Sequence, residues 1–120
     1  MAKPGARGLA RIVMALGYAM QGLRACWRNE AAFRQEVLAT VLMVPLGIYL
    51  GESNVEKALL VGVLMLVLMV ELLNSGVEAV VDRVGHEPHS LSGLAKDLGA
   101  AAVLLSLANA ALVWAIVLFF

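Results

Sequence analysis

Residues 58–83 read Ala58-Leu-Leu-Val-Gly-Val-Leu-Met-Leu-Val-Leu-Met-Val70-Glu71-Leu-Leu-Asn74-Ser-Gly-Val-Glu78-Ala-Val-Val-Asp82-Arg83. The first thirteen are apolar or glycine. A helix needs roughly 20 mostly apolar residues to cross ~30 Å of hydrocarbon, so the run predicts a membrane span that continues through residue 81. Its second half is not apolar. Glu71, Asn74, Glu78 and Asp82 are spaced 3, 4 and 4 apart, which places them in one narrow stripe at about 100° per residue. An ionisable side chain at membrane depth costs ~2.5–3.5 kcal/mol even on the forgiving insertion scale, so it usually serves a function. Three acids on one stripe also repel one another and need a cation, a proton or a basic partner. Simple pairing with Arg34 or Lys96 inside a bundle leaves the desolvation cost unexplained. Metal coordination explains it better, because Mg²⁺ typically takes one or two carboxylates together with substrate phosphates. Asn74 adds a neutral hydrogen-bonding group beside them.

Outward from this segment, two further spans are predicted. Residues 100–120 carry only Ser106 and Asn109 as polar interruptions, with Trp114 towards the end. Residues 31–50 begin with Arg34, Gln35 and Glu36 and become largely apolar from Val37. Pro45 predicts a kink there, which membrane helices tolerate when neighbours satisfy the freed carbonyl. The connections are residues 51–57 and 82–99. At 120 residues and 62% hydrophobic, the chain has too little interior to hide its apolar side chains from water. The expectation is a single all-α membrane domain over residues 1–120, with spans 31–50, 58–81 and 100–120.

Nine basic and nine acidic residues cancel, but six of the basic ones (Lys3, Arg7, Arg11, Arg24, Arg28, Arg34) fall in the first 34 positions. The positive-inside rule then places the N-terminus and residues 82–99 in the cytoplasm, with residues 51–57 outside. Residues 1–30 are interrupted by charge throughout and are not expected to act as a cleaved leader. Residues 10–27 repeat Ile12, Leu16, Met20 and Leu23 at helical spacing. With basic residues and aromatic anchors at Tyr18 and Trp27, this predicts an amphipathic surface helix, about residues 7–28, along the membrane interface. The alternative is a solvated helix packed on the cytoplasmic connection. Cys26 has no second cysteine to pair with and is expected to serve as a small apolar residue.

The start of the first span supplies a second polar set: Asn29, Glu30, Arg34, Gln35 and Glu36. Glu30 and Arg34, four apart, suit a surface ion pair of little worth. Beside a carboxylate helix, Glu30 can instead complete a metal site with Glu78. Residues 82–99 hold no phosphate-binding G-x-x-x-x-G-K-[ST] loop. His86 and His89 lack the spacing and cysteine company of a zinc site. Lys96 suits a phosphate as a point charge, or else a snorkelling role at the base of the last span.

Three stretches carry a resemblance: Asn29-Glu-Ala-Ala-Phe-Arg-Gln-Glu36, Glu71 through Arg83 as quoted above, and Leu94-Ala-Lys-Asp97. They resemble the prokaryotic diacylglycerol kinases over nearly the whole chain, and the E-x-x-N-S-x-x-E-x-x-x-D pattern is highly specific. The first stretch is more similar to the proteobacterial diacylglycerol branch than to the related undecaprenol kinases. The resemblance implies a homotrimer of three-span protomers in the bacterial inner membrane, with ATP and Mg²⁺ from the cytoplasm and diacylglycerol from the bilayer. It implies Glu71 as general base supported by Asn74, and Glu30 and Glu78 as metal ligands. Arg11, Tyr18, Glu87, Pro88, His89, Lys96 and Asp97 would contact ATP together with those two acids. Arg11, Ala15, Arg24, Trp27, Ala32, Arg34, Gln35, Glu36, Glu71 and Ala100 would border the lipid. Pro88, Gly76 and Ala100 depart from the family pattern, which suggests a residue with an N–H, an alanine and a small hydroxyl residue there.

The expected activity is therefore phosphorylation of diacylglycerol to phosphatidic acid, with undecaprenol as the alternative substrate within the same family. Small multidrug transporters are also short and apolar around a membrane carboxylate. They require a fourth span and usually place the acid in the first, whereas three spans and several acids near one membrane face are read here. A non-enzymatic assembly subunit would leave the carboxylate stripe without a purpose.

Overall fold

The computed structural model describes residues 7–120; Lys3 lies outside the described residues. Four helices follow one another: α1 (Gly8–Asn29), α2 (Ala31–Leu50), α3 (Asn54–Val84) and α4 (Ser90–Phe119). By length and composition, α2, α3 and α4 can each cross a membrane.

The helix ends follow local chemistry. Ser53 opens α3 by accepting the Glu56 N–H at 3.1 Å, which satisfies one of the donors a helix N-terminus leaves free. His89 opens α4 in the same manner, its Nδ1 accepting from the Leu91 N–H at 3.0 Å. Between α1 and α2 stands one residue, Glu30, in extended conformation. Its N–H donates to the Cys26 carbonyl at 2.9 Å, and its own carbonyl accepts from the Arg34 N–H at 3.2 Å. Pro45 leaves α2 continuous.

Residues 82–99 are not the open connection the hydropathy suggested. Helix α3 runs on to Val84 and α4 begins at Ser90, so only residues 85–89 are non-helical. Apolar composition marks bilayer thickness, whereas the helical hydrogen-bond ladder continues beyond it wherever polar residues are helix-compatible.

Helix α3 is the centre of the packing. Its most extensive contact is with α4 and its next with α2, while α1 touches α2 and α3 more sparingly. The buried apolar residues are Cys26, Phe33, Leu60, Val63, Leu64 and Val67. Gly47 of α2 admits the close approach of α3 and α4: a Cβ there would sit 3.2 Å from Leu60 Cβ and 3.4 Å from the Trp114 ring. The Trp114 indole N–H donates to the Leu60 carbonyl at 3.0 Å, so a donor that hydrocarbon cannot satisfy is paired within the bundle. The whole is flat, 47 × 42 × 21 Å. Its radius of gyration is 17.4 Å, against about 14 Å for a globular domain of this length. Leu42, Tyr49, Leu73, Leu104 and Leu105 point outwards, as lipid-facing or helix-packing surfaces require. On α1, Leu9, Ile12, Val13 and Leu16 are likewise exposed.

Candidate active site

The packed stripe of α3 is Leu60, Val63, Leu64 and Val67. Its next member, one helical turn on, is Glu71, which is only 4% exposed. A carboxylate thus occupies a place that the preceding pattern gives to a hydrophobe. Its neighbours are acids. Glu36, from α2, lies within hydrogen-bond reach of it, and Glu30 and Glu78 are near enough to act on its charge. Glu36 Oε2 is buried with no hydrogen-bond partner among the described residues. Glu36 also borders a cavity of about 260 Å³ walled by Thr40, Leu64, Val67 and Trp114.

One turn further along α3, Asn74 donates from Nδ2 to Glu78 Oε1 at 3.1 Å. Its Oδ1 is buried and accepts nothing. The backbone of α4 passes directly against this amide: a Cβ built at Gly99 would overlap the Asn74 carboxamide. The last member of the stripe, Asp82, accepts from Lys96 Nζ of α4 at 3.0 Å. The four stripe residues therefore meet three different situations: an acid pair, an amide–acid pair and an ion pair.

Glu30 reaches this group from the α1–α2 joint. It borders, with Asn29, a cleft of about 660 Å³ between α1 and α3 whose floor includes Ser75, Gly76 and Ala79. Cys26 Sγ lies 3.5 Å from Ser75 Oγ across the same contact, so the cysteine is a packing residue as expected. Burial pushes its thiol up, which keeps it neutral and unreactive. Gly76 leaves open space where a Cβ would stand.

Arg34 is not paired with Glu30. Its Nη1 donates to the carbonyls of Trp27 at 2.7 Å and Arg28 at 3.1 Å, closing the end of α1, where carbonyls lack helical partners and a cation is favoured. Glu87, Pro88 and His89 border a pocket of about 390 Å³ at the α3–α4 bend, against Val80, Val84 and Leu91. Arg24 and Trp27 line a groove of about 370 Å³ with Phe33 and Leu68. Arg11, Ala15 and Tyr18 on α1, Ala32 and Gln35 on α2, and Asp97 and Ala100 on α4 are exposed. No side-chain hydrogen bond among the described residues ties any of these seven to the carboxylates.

Among the described residues, no group of three or more His, Cys, Asp or Glu side chains forms a ready metal cage. The donor set suits an ion that arrives with its own oxygen ligands. Glu30 and Glu78 offer two carboxylates, and Asn74 holds one of these by its N–H. Mg²⁺ carried on a nucleotide is bound in this way, by one or two carboxylates and the phosphates.

Spacing along the chain located Glu71, Asn74, Glu78 and Asp82. It did not bring Glu36 to Glu71, nor Lys96 to Asp82, because those pairs join separate helices. The signal available for Glu36 was its own cost as a second acid at the edge of a span.

The family model described as "Prokaryotic diacylglycerol kinase" matches residues 17–118. The Diacylglycerol kinase of Escherichia coli (strain K12) is 51% identical over 111 residues, covering 92% of this chain and 91% of its own. That of Pseudomonas aeruginosa is 48% identical over 114 residues, covering 95% and 93%. That of Haemophilus influenzae is 44% identical over 113 residues, covering 94% and 96%.

Proposed function

The chain belongs to the prokaryotic diacylglycerol kinase family, and from that membership we propose that it transfers the γ-phosphoryl group of ATP to the hydroxyl of 1,2-diacylglycerol, giving phosphatidic acid. The observation that carries the site is the buried carboxylate of Glu71 on α3, a helix that can span a membrane, with Glu78 of the same helix, Glu36 of α2 and Glu30 of the α1–α2 joint around it.

Membership in a kinase family implies ATP and, in general, a divalent metal; we assign Mg²⁺, held by Glu30 and Glu78. When bound, the ion neutralises phosphate charge and lowers the repulsion a phosphorylated nucleotide meets near four acids. The chain's own residues do the rest. Glu71 accepts the proton of the lipid hydroxyl as its oxygen attacks the γ-phosphorus. The bond to the β-phosphate oxygen breaks and ADP leaves. Its position at the end of the apolar stripe matches a neutral two-tailed lipid, whose hydroxyl sits where hydrocarbon gives way to polar groups. Glu36, within hydrogen-bond reach, offers a second oxygen to the accepted proton. Asn74 fixes Glu78 through its amide. Lys96 and Arg11 add positive charge as the transfer proceeds, and Tyr18, Asp97 and residues 87–89 border the nucleotide.

The same reading places the enzyme in the bacterial inner membrane with its N-terminus cytoplasmic, as a homotrimer. The broad exposed apolar faces of α2 and α4 and the flat outline of one chain support further helix packing.

One experiment decides the activity. Purified protein in detergent is given labelled Mg-ATP with diacylglycerol and, in parallel, with undecaprenol. Labelled phosphatidic acid is the expected product. Transfer to undecaprenol alone reassigns the substrate, and transfer to neither ends the kinase reading. A labelled acyl-phosphate on the protein during turnover would replace direct displacement by a two-step route.

A further inference from the structure

We infer that Asp82 is a positioning residue for the nucleotide: it holds the Lys96 ammonium at the end of the α3 carboxylate stripe, where the phosphates arrive. The inference rests on the kinase reading above and assigns a role to an acid that reading leaves unused.

Asp82 Oδ1 and Lys96 Nζ stand 3.0 Å apart, with side-chain exposures of 49% and 45% respectively. It is the one ion pair among the described residues. Both groups remain open to water, and an exposed pair of this kind adds little to stability. Its placement is more informative than its strength. Asp82 lies one helical turn beyond Glu78, about 6 Å along the axis. Glu78 is itself fixed by Asn74, and the α4 backbone meets Asn74 at Gly99, three residues after Lys96. Two contacts thus register the first turns of α4 against the polar half of α3, and Lys96 belongs to one of them.

Without Asp82, a lysine on a four-carbon stem would sample many rotamers over open water. Paired, its cation stays beside Asp82, one helical turn along α3 from Glu78. Phosphate oxygens entering there meet an ammonium already in place and compete with Asp82 for its three N–H donors. Asp82 itself touches neither phosphate nor lipid.

The test measures KM for Mg-ATP and for diacylglycerol, kcat and thermal stability in detergent. The proteins are wild type, Asp82→Asn, Lys96→Ala, both together, and the exchange Asp82→Lys with Lys96→Asp. Asp82→Asn should raise KM for ATP roughly fivefold, the size of one exposed charge contact. Its KM for diacylglycerol and its melting temperature should not move. In the Lys96→Ala background, Asp82→Asn should add nothing further, since the two act as one unit. The exchange re-forms an ion pair between α3 and α4 but moves the cation, and it should remain impaired towards ATP. Rescue by the exchange would mean that the pair only braces the helices and would overturn the inference. An unchanged KM for ATP in Asp82→Asn, or an equal effect with and without Lys96, would overturn it too. These failures occur in an enzyme that still phosphorylates lipid, so they are distinct from failure of the kinase reading, in which wild type itself is inactive.

Discussion

The two halves of α3 present one face with opposite chemistry. In the first half, Leu60, Val63, Leu64 and Val67 are buried against α2 and α4. In the second, the same helical spacing continues as Glu71, Asn74, Glu78 and Asp82, and the partners are other polar groups. The first half could be exchanged for other hydrophobes of similar volume with small loss. The second cannot, because each polar atom in low dielectric needs a specific partner. One packing face therefore builds the bundle and then, without changing period, becomes the candidate site.

The sharpest way to break the comparison is to make Glu71 neutral without changing its shape. Glu71→Gln should lower phosphoryl transfer by on the order of 10²–10⁴-fold, the usual worth of a general base, while Mg-ATP binding by calorimetry is largely kept. Retained activity would mean that the buried acid is only a packing feature. Next comes Gly99→Ala. The added methyl overlaps the Asn74 carboxamide, so Asn74 and with it Glu78 must move, and a misplacement near 1 Å can cost on the order of 10²-fold in rate. Glu78→Gln should act on affinity instead, weakening Mg-ATP binding roughly tenfold, read as a shift in the Mg²⁺ dependence of turnover. The smallest effect on chemistry belongs to the first half. Leu60→Ala should lower stability in detergent towards the low end of the ~2–5 kcal/mol seen for such core truncations. Separation into lipid does not recover the transfer term that water supplies. Its specific activity, once folded, should stay close to wild type.

The face of α3 was legible in the sequence because hydrophobes and acids alike obey one period along one helix. The three spans were legible because each segment is about 20 residues or longer and mostly apolar despite its polar end. The helical parts of residues 82–99 were not, since hydropathy reports the membrane boundary and not where the hydrogen-bond ladder ends. The same limit hid the partners. Glu36 and Glu71 are far apart in the chain, as are Asp82 and Lys96, and no spacing rule within a helix relates them. The i, i+4 spacing of Glu30 and Arg34 allows a surface ion pair, the weaker of the two readings of Glu30, and the structure does not form it. The carbonyls at the end of α1 made the better acceptors, being without helical partners of their own.

Glu30 is the whole of the joint between α1 and α2. A longer loop would let α1 and α2 take their directions independently. A single extended residue offers just one φ and one ψ to reconcile them. The angle between α1 and α2 and the direction in which Glu30 projects its side chain from the joint are, in consequence, a single mechanical coordinate.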